Sequence, residues 1–482
     1  MPSTLSELKP ALLWKHFEAI TKIPRCSKNE AAAGDYVLSV AEEHHMTARK
    51  DPTGNVVIQV PPSRGHENAP GVVLQGHLDM VCEKNSDVAF DFSKDPIQVI
   101  VEKEWVTADG TTLGADNGIG MAAALAVLED TQLVHGPLEL LFTTDEETGL
   151  NGANGLQPDF VKGRILLNLD SEEEGAFSIG CAGGGDTDIS LPLSRAKEKK
   201  GLYLKVMLSG LRGGHSGIDI HTGRGNAIQL LARMLFEADA AFELVHLEGG
   251  SKHNAIPREA FAYIAVDEKN AGTFRQAVQS RFEDIRFEFK TVEKDMKLSI
   301  EPDSGISETP LDEMSKSKFL NLVFGLPHGV MAMSQEISGL VETSNNLAIV
   351  RTEKSRASVY TSSRSSIQSA LEATRAKIEA IASLCGASAK HLPGYPPWTP
   401  NLDSNLLNTM KKVYKNMSGK EPRVEAIHAG LECGIIGEKY PGMDMISFGP
   451  DLQNPHSPDE RVHIVSVGRF WDLLTATLKA LA

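Results

Sequence analysis

Leu138-Glu139-Leu140-Leu141-Phe142-Thr143-Thr144-Asp145-Glu146-Glu147-Thr148-Gly149 runs from an apolar strand straight into three consecutive acids and a glycine. A short leucine-rich run bounded by turn residues reads as a buried strand. Acids crowded at its carboxyl end are costly to ionise together unless cations balance them, the ordinary alternative being a solvated acidic turn. The same kind of run recurs at residues 56–60, 72–74 and 165–169, with helical stretches such as 118–128 among them. That alternation is the pattern of an α/β sheet. In open sheets of this type ligands gather outside the carboxyl ends of the strands, so residues just past these runs are the candidates for function.

Four more segments place metal-philic side chains at such positions: Gly76-His77-Leu78-Asp79-Met80, Gly114-Ala115-Asp116-Asn117-Gly118, Asn168-Leu169-Asp170 and Asn454-Pro455-His456-Ser457-Pro458-Asp459-Glu460. Singly, each has a plain structural reading, for example a hydrogen-bonded histidine at a strand end or an N-cap aspartate. No glycine spacing here matches a nucleotide loop. Jointly, His77, Asp116, Glu147, Asp170 and His456 form the imidazole and carboxylate set that zinc, manganese or cobalt accept. Asp116, between small residues, could bridge two cations. Asp79 could orient His77, and in the acidic turn one glutamate would bind metal while its neighbour moves protons.

A chain of 482 residues exceeds one compact core, so two or more domains are expected. The net charge of −16 argues against a nucleic-acid partner, which calls for a basic face. Cys26, Cys82, Cys181, Cys385 and Cys433 are odd in number and far apart. They show neither a disulfide framework nor a Cys-x-x-Cys pair, and a reducing cytoplasm fits best. The first twenty residues mix Glu7, Lys9, Lys15 and Glu18 among leucines, unlike a signal peptide, and no run reaches membrane-spanning length. The run Cys181-Ala182-Gly183-Gly184-Gly185-Asp186 breaks the α/β pattern, strands and helices then alternate, and a proline-dense passage at 391–400 closes the stretch. The expected organisation is an α/β catalytic domain, a mixed central sheet flanked by helices, split over 1–186 and 401–482. An inserted α+β domain covers 187–400, long enough for two related halves.

With these motifs in this order, the chain strongly resembles the dinuclear zinc exopeptidases that include aminoacylase, carboxypeptidase G and carnosinase. The resemblance implies that His77 and Asp170 hold one metal, Glu147 and His456 the other, and that Asp116 bridges. It makes Asp79 the residue that orients His77, Glu146 the catalytic base, and the Asp116–Asn117 peptide cis. The insert resembles the family's lid. There, Arg212-Gly213-Gly214-His215-Ser216-Gly217 carries the oxyanion histidine His215, Lys252-His253-Asn254-Ala255-Ile256-Pro257 the substrate contact Asn254, and Thr361-Ser362-Ser363-Arg364 the carboxylate-binding Arg364. An arginine fork suits a terminal carboxylate. The role of Glu432, in Gly430-Leu431-Glu432-Cys433-Gly434, stays open. Implied as well are two divalent ions, zinc foremost with cobalt or manganese possible, and hydrolysis of unblocked dipeptides, Xaa-His and carnosine-like ones included. Other readings of the same motifs are an N-acyl-amino-acid deacylase or carboxypeptidase, and a metal-bound peptide binder without activity. Relatives either dimerise through the lid or carry a doubled lid, and a homodimer through the lid is expected here. No membrane partner is expected.

Overall fold

The computed structural model describes residues 4–197, 201–303, 305–306 and 308–482. The chain forms two compact units: Met1–Cys181 with Trp398–Ala426 and Leu431–Ala482, and Ala182–Pro397 with Ile427–Gly430.

The first unit is built on an eight-stranded sheet. In chain order its strands are β1 (Thr47–Lys50), β2 (Val56–Val60), β3 (Val72–His77), β4 (Leu138–Thr143), β5 (Ile165–Asn168), β6 (Ala176–Cys181), β7 (Arg423–Ile427) and β8 (Asp444–Ser447). Across the sheet they lie in the order β1-β2-β4-β3-β5-β8-β6-β7. β4, β3, β5 and β8 run parallel, and every residue of β3 and β4 is buried. Strands buried on both faces read as unbroken apolar runs, which is why these two were legible. The span Ala115–Glu129 leaves helical geometry at Asp116 and Asn117; from Gly118 on it is a helix apolar on every side and buried along nearly its whole length, as a helix without a polar face must be. Register aligns the site: His77 pairs with Thr143 and Gln75 with Asn168. Asp145, Glu146, Glu147 and Asp170 therefore leave the sheet at the same edge as His77. A smaller antiparallel sheet of Val99–Glu102, Trp105–Ala108, Leu452–Gln453 and Arg461–His463 holds the His456 turn between its last two strands.

The second unit is an antiparallel sheet with four longer helices, Ala227–Phe236, Ala271–Glu288, Glu313–Gly325 and Gln368–Leu384. Phe274, Val278, Phe282 and Ile285 stripe one face of the second helix and are buried with the alternate strand residues Leu204, Val206 and Leu208. Strand order is Lys297–Pro302, Leu202–Ser209, Ala260–Val266, Glu243–Gly249, Val341–Thr352, Arg356–Ser365, Gly183–Pro192, Ser388–His391. Read inward from either edge, the order is the same: last strand, first, third, second. Each half is a strand-helix-strand-strand-helix-strand unit, the first inserted after the opening strand of the other, and the halves meet where Gly249 pairs with Val350. The unit is therefore internally doubled.

One sequence expectation is corrected. Cys26 and Cys82 form a disulfide across a separation of 56 residues, while Cys181, Cys385 and Cys433 are free. Wide spacing concealed the pair because tertiary structure, a bridge between Cys26 and Met80, brings the two segments together. The Asp116–Asn117 peptide is cis. Among the described residues no helix is long and apolar enough to cross a membrane.

Candidate metal centre

Asp116 lies between two imidazoles. Its Oδ1 is 3.0 Å from His77 Nε2 and its Oδ2 is 3.1 Å from His456 Nε2. His77 Nε2 is also 3.4 Å from Asp170 Oδ1, and His456 Nε2 is 3.0 Å from Glu147 Oε2. Two triads result, His77–Asp116–Asp170 and Asp116–Glu147–His456, each with ligand atoms within 4.8 Å of one another and with Asp116 in both. His77 is buried at the end of β3, whereas His456 is half exposed on its turn. The five side chains expected from separate strand ends and turns thus converge.

Buried Asp79 organises what surrounds them. Its Oδ1 accepts the Glu146 N–H at 3.0 Å, and its Oδ2 accepts the Glu147 N–H at 3.2 Å and the Ser27 hydroxyl at 2.8 Å. It also faces His77 Nδ1, 3.3 Å from Oδ1. One carboxylate therefore faces the His77 imidazole and fixes the turn bearing Glu146 and Glu147. A further acidic group, Glu30–Asp79–Asp145, is already engaged inside the protein. Glu30 accepts the Asp145 N–H at 2.7 Å, and Asp145 accepts from Thr148 and Asn151, both at 2.6 Å.

The charge balance tests whether cations fit. Burial raises Asp170 to about 6 against the pull of His77, and raises Glu432 to about 7. It lifts Glu146 well above the usual carboxylate range, reinforced by neighbouring acids. Burial also opposes ionisation of Asp116, but hydrogen bonds with His456 and His77 outweigh it and hold this carboxyl low. Hydrogen bonds to Asp116 and Glu147 raise His456 to about 11. With protein groups alone, then, the imidazoles are the nearest counter-charges and burial works against ionising Glu146, Asp170 and Glu432 together. Glu147 Oε1 and Asp170 Oδ1 are buried without a hydrogen-bond partner among the described residues. Buried oxygens of this kind are expensive unless a cation or donor meets them. Divalent ions would meet them, with both imidazoles as neutral ligands and the acids ionised. The donor set fits.

Glu432, whose role the sequence leaves open, is 1% exposed. Its Oε2 accepts from Gln75 at 2.6 Å and Thr143 at 2.7 Å, while Oε1 has no partner among the described residues. Two residues escaped sequence reading. Buried Arg25 bonds to backbone carbonyls, which leave no trace in residue spacing. Glu460 stood inside the quoted His456 motif, and its place four residues past the histidine was the available signal.

In the second unit, His215 and Asn254 are brought together. His215 pairs with Ala255 across a two-residue ladder, and the Asn254 carbonyl accepts the Ser216 N–H at 2.8 Å. His215 Nδ1 accepts the N–H groups of Gly217 at 3.2 Å and Ile218 at 3.1 Å. An Nδ1 that accepts leaves the proton on Nε2, and burial together with the Arg364 charge pushes the imidazole below its ordinary value. His215 is thus a neutral Nε2–H donor. Arg364 is 7% exposed. It donates to the Tyr395 hydroxyl at 2.8 Å, its Nε has no partner, and among the described residues it forms no ion pair.

Residues 73–480 match the model of peptidase family M20/M25/M40, and the chain belongs to that family. It is 43% identical over 480 residues, 99% of each chain, to the cytosol non-specific dipeptidase of Escherichia coli (strain K12). Among solved structures it resembles aminoacylhistidine dipeptidase from Vibrio alginolyticus, with 44% identity, a TM-score of 0.93 and coverage of 99% of this chain and 98% of that one. The aminopeptidase PepT of Bacillus cereus shares the fold at 14% identity, with a TM-score of 0.58 over 98% of this chain and 99% of that one.

Proposed function

We propose that the chain is a dinuclear metal-dependent dipeptidase acting on unblocked dipeptides, Xaa-His among them. The observation that carries the reading is Asp116, with one oxygen toward His77 and the other toward His456. The names of the Escherichia coli and Vibrio alginolyticus relatives support the dipeptide class. His77 and Asp170 would hold one ion, Glu147 and His456 the other, with Asp116 shared. Two divalent cations, zinc foremost, would polarise the scissile carbonyl and make a water acidic enough to react at neutral pH. Glu146, whose backbone is fixed by Asp79, would take a proton from the water as its oxygen bonds to the scissile carbon, and pass that proton to the amine leaving as the C–N bond breaks. Its lone pairs are kept for proton transfer because neighbouring Glu147 is the ligand. His215 is proposed as the oxyanion donor, since it presents a neutral N–H. Arg364, without an acidic partner among the described residues, is proposed for the substrate carboxylate and Asn254 for a further polar contact. A free carboxylate held at a fixed place would limit the enzyme to short peptides.

The doubled second unit carries both halves in one chain, so activity is expected without association, although a homodimer through this unit remains part of the family reading. A cytoplasmic location is proposed from the name of the Escherichia coli relative alone, since the Cys26–Cys82 disulfide removes the cysteine argument for it. The test is a panel of Xaa-His dipeptides, free, N-acylated and C-amidated, assayed with and without chelator. Chelator-sensitive cleavage of the free dipeptides alone is expected. Preferred cleavage of N-acylated substrates would transfer the site to a deacylase, and cleavage unaffected by chelator would remove the metal mechanism.

A further inference from the structure

Four residues past His456, the same turn contains an acid that the proposed reaction does not use. Glu460 is 2% exposed, and its carboxylate accepts four consecutive backbone N–H groups. Oε2 takes those of Leu113 at 2.8 Å and Gly114 at 2.9 Å; Oε1 takes those of Ala115 at 2.7 Å and Asp116 at 3.3 Å. This is the loop that delivers Asp116. A buried carboxylate is tolerated where so many donors replace its water. Arg25 grips the loop by its carbonyls: it donates to Gly114 O and, at 3.1 and 2.5 Å, to the carbonyls of Leu78 and Asp79 beside His77. The grip leaves no room for a side chain at Gly114. Its φ is +72°, and a Cβ there would come within 2.6 Å of the Arg25 guanidinium and 2.7 Å of Met80 Sδ.

Glu460 is equally fixed to its own turn. Its N–H donates to the Ser457 carbonyl at 3.0 Å, and its carbonyl accepts the Thr107 hydroxyl at 2.9 Å, just before the strand Arg461–His463 begins. One residue therefore joins the turn of His456 to the loop of Asp116, although these two side chains lie 340 positions apart. We infer that Glu460 is a positioning residue of the two-ion site, setting the place of Asp116 relative to His456 and so the affinity for the ion that Glu147 and His456 share with Asp116. The inference rests on the dinuclear reading above.

The test uses Glu460→Gln, which keeps the volume but turns an NH2 toward two N–H donors, so half of the loop loses its acceptor. Cobalt is titrated into the chelator-stripped full chain, followed by competition with a chelator, by the visible spectrum of the bound ion, and by melting in chelator to confirm folding. The expected result is two cobalt ions in the wild type. In the variant one of them is released about 10–100-fold more readily, the usual effect of removing a group that orients ligands, and its visible spectrum changes. In turnover kcat falls while KM changes little. Should Glu460→Gln not fold, Glu460→Asp, which keeps the charge but shortens the reach by one methylene, is read in the same way. A folded variant whose two affinities stay within about threefold of wild type would overturn the inference alone. A wild-type chain that does not take up two ions would remove the dinuclear reading beneath it.

Discussion

Replacing Asp79 by alanine should weaken the fold, the metal site and turnover together. The carboxylate is fully buried. It accepts two backbone N–H groups, at 3.0 and 3.2 Å, and the Ser27 hydroxyl at 2.8 Å. Ser27 can rotate to another acceptor, but the Glu146 and Glu147 N–H groups cannot. A buried donor left unsatisfied costs about 1–3 kcal/mol, so the two together set the loss of stability at about 2–6 kcal/mol. The second consequence is local. His77 Nδ1 keeps the Asp79 backbone carbonyl at 3.2 Å but loses the carboxylate 3.3 Å away, and the turn bearing Glu146 and Glu147 loses its anchor. Metal affinity should then fall about 10–100-fold, and kcat by at least about 100-fold because Glu146, the proposed base, is displaced. Asp79→Asn should fall between wild type and alanine, since its amide oxygen still accepts one of the two N–H groups. The assay is denaturant unfolding in chelator, which isolates the stability term, followed by metal competition and dipeptide turnover on the same preparations. An Asp79→Ala protein with unchanged stability in chelator, metal affinity within threefold and near-normal kcat would refute the reasoning.

Glu146→Gln should keep its bound metal, since Glu147 and not Glu146 is assigned as the ligand, and should lower kcat by about 100- to 10,000-fold, the usual contribution of a positioned base. Metal analysis with single-substrate kinetics checks both halves. Reduction of the Cys26–Cys82 bond, or Cys26→Ser with Cys82→Ser, should destabilise the first unit. On the chain-entropy account, a loop closed across 56 residues corresponds to about 4 kcal/mol, visible as a lower melting temperature in reductant. In the second unit His253 Nδ1 lies 3.2 Å from Asp186 Oδ2, and that hydrogen bond raises the imidazole above its ordinary value. A raised folded-state value means that the stabilisation is complete below the unfolded histidine value and is lost as pH rises through the folded one. The melting difference between wild type and His253→Gln should therefore be largest near pH 5 and shrink by pH 8.

The residues that would touch metal were legible because they occupy positions that strand physics makes conspicuous. Gly76-His77 and Thr143 to Glu147 end apolar runs buried on both faces, and the parallel register of β3, β4 and β5 then carries His77, Glu147 and Asp170 to one edge. His456 was legible only through its proline-braced turn. What holds these residues was less visible. Arg25 and Glu460 bond to backbone groups, which every residue carries, so no partner residue type betrays them. The Cys26–Cys82 pair and the palindromic order of the second unit are products of tertiary contact. In the latter, one half is threaded into the other after its first strand, so the repeat does not run end to end along the chain.

The proposed reaction depends on one carboxylate, Asp116, shared by two cations. Counting ions tests this most directly: the full chain, stripped with chelator and re-equilibrated with low-micromolar zinc, is analysed for metal per chain beside Asp116→Ala. Two equivalents in the wild type, and one or none in a folded Asp116→Ala without dipeptidase activity, are the predicted result. A wild type saturating at one ion or fewer, or an Asp116→Ala protein that still holds two with unchanged affinity, would contradict it.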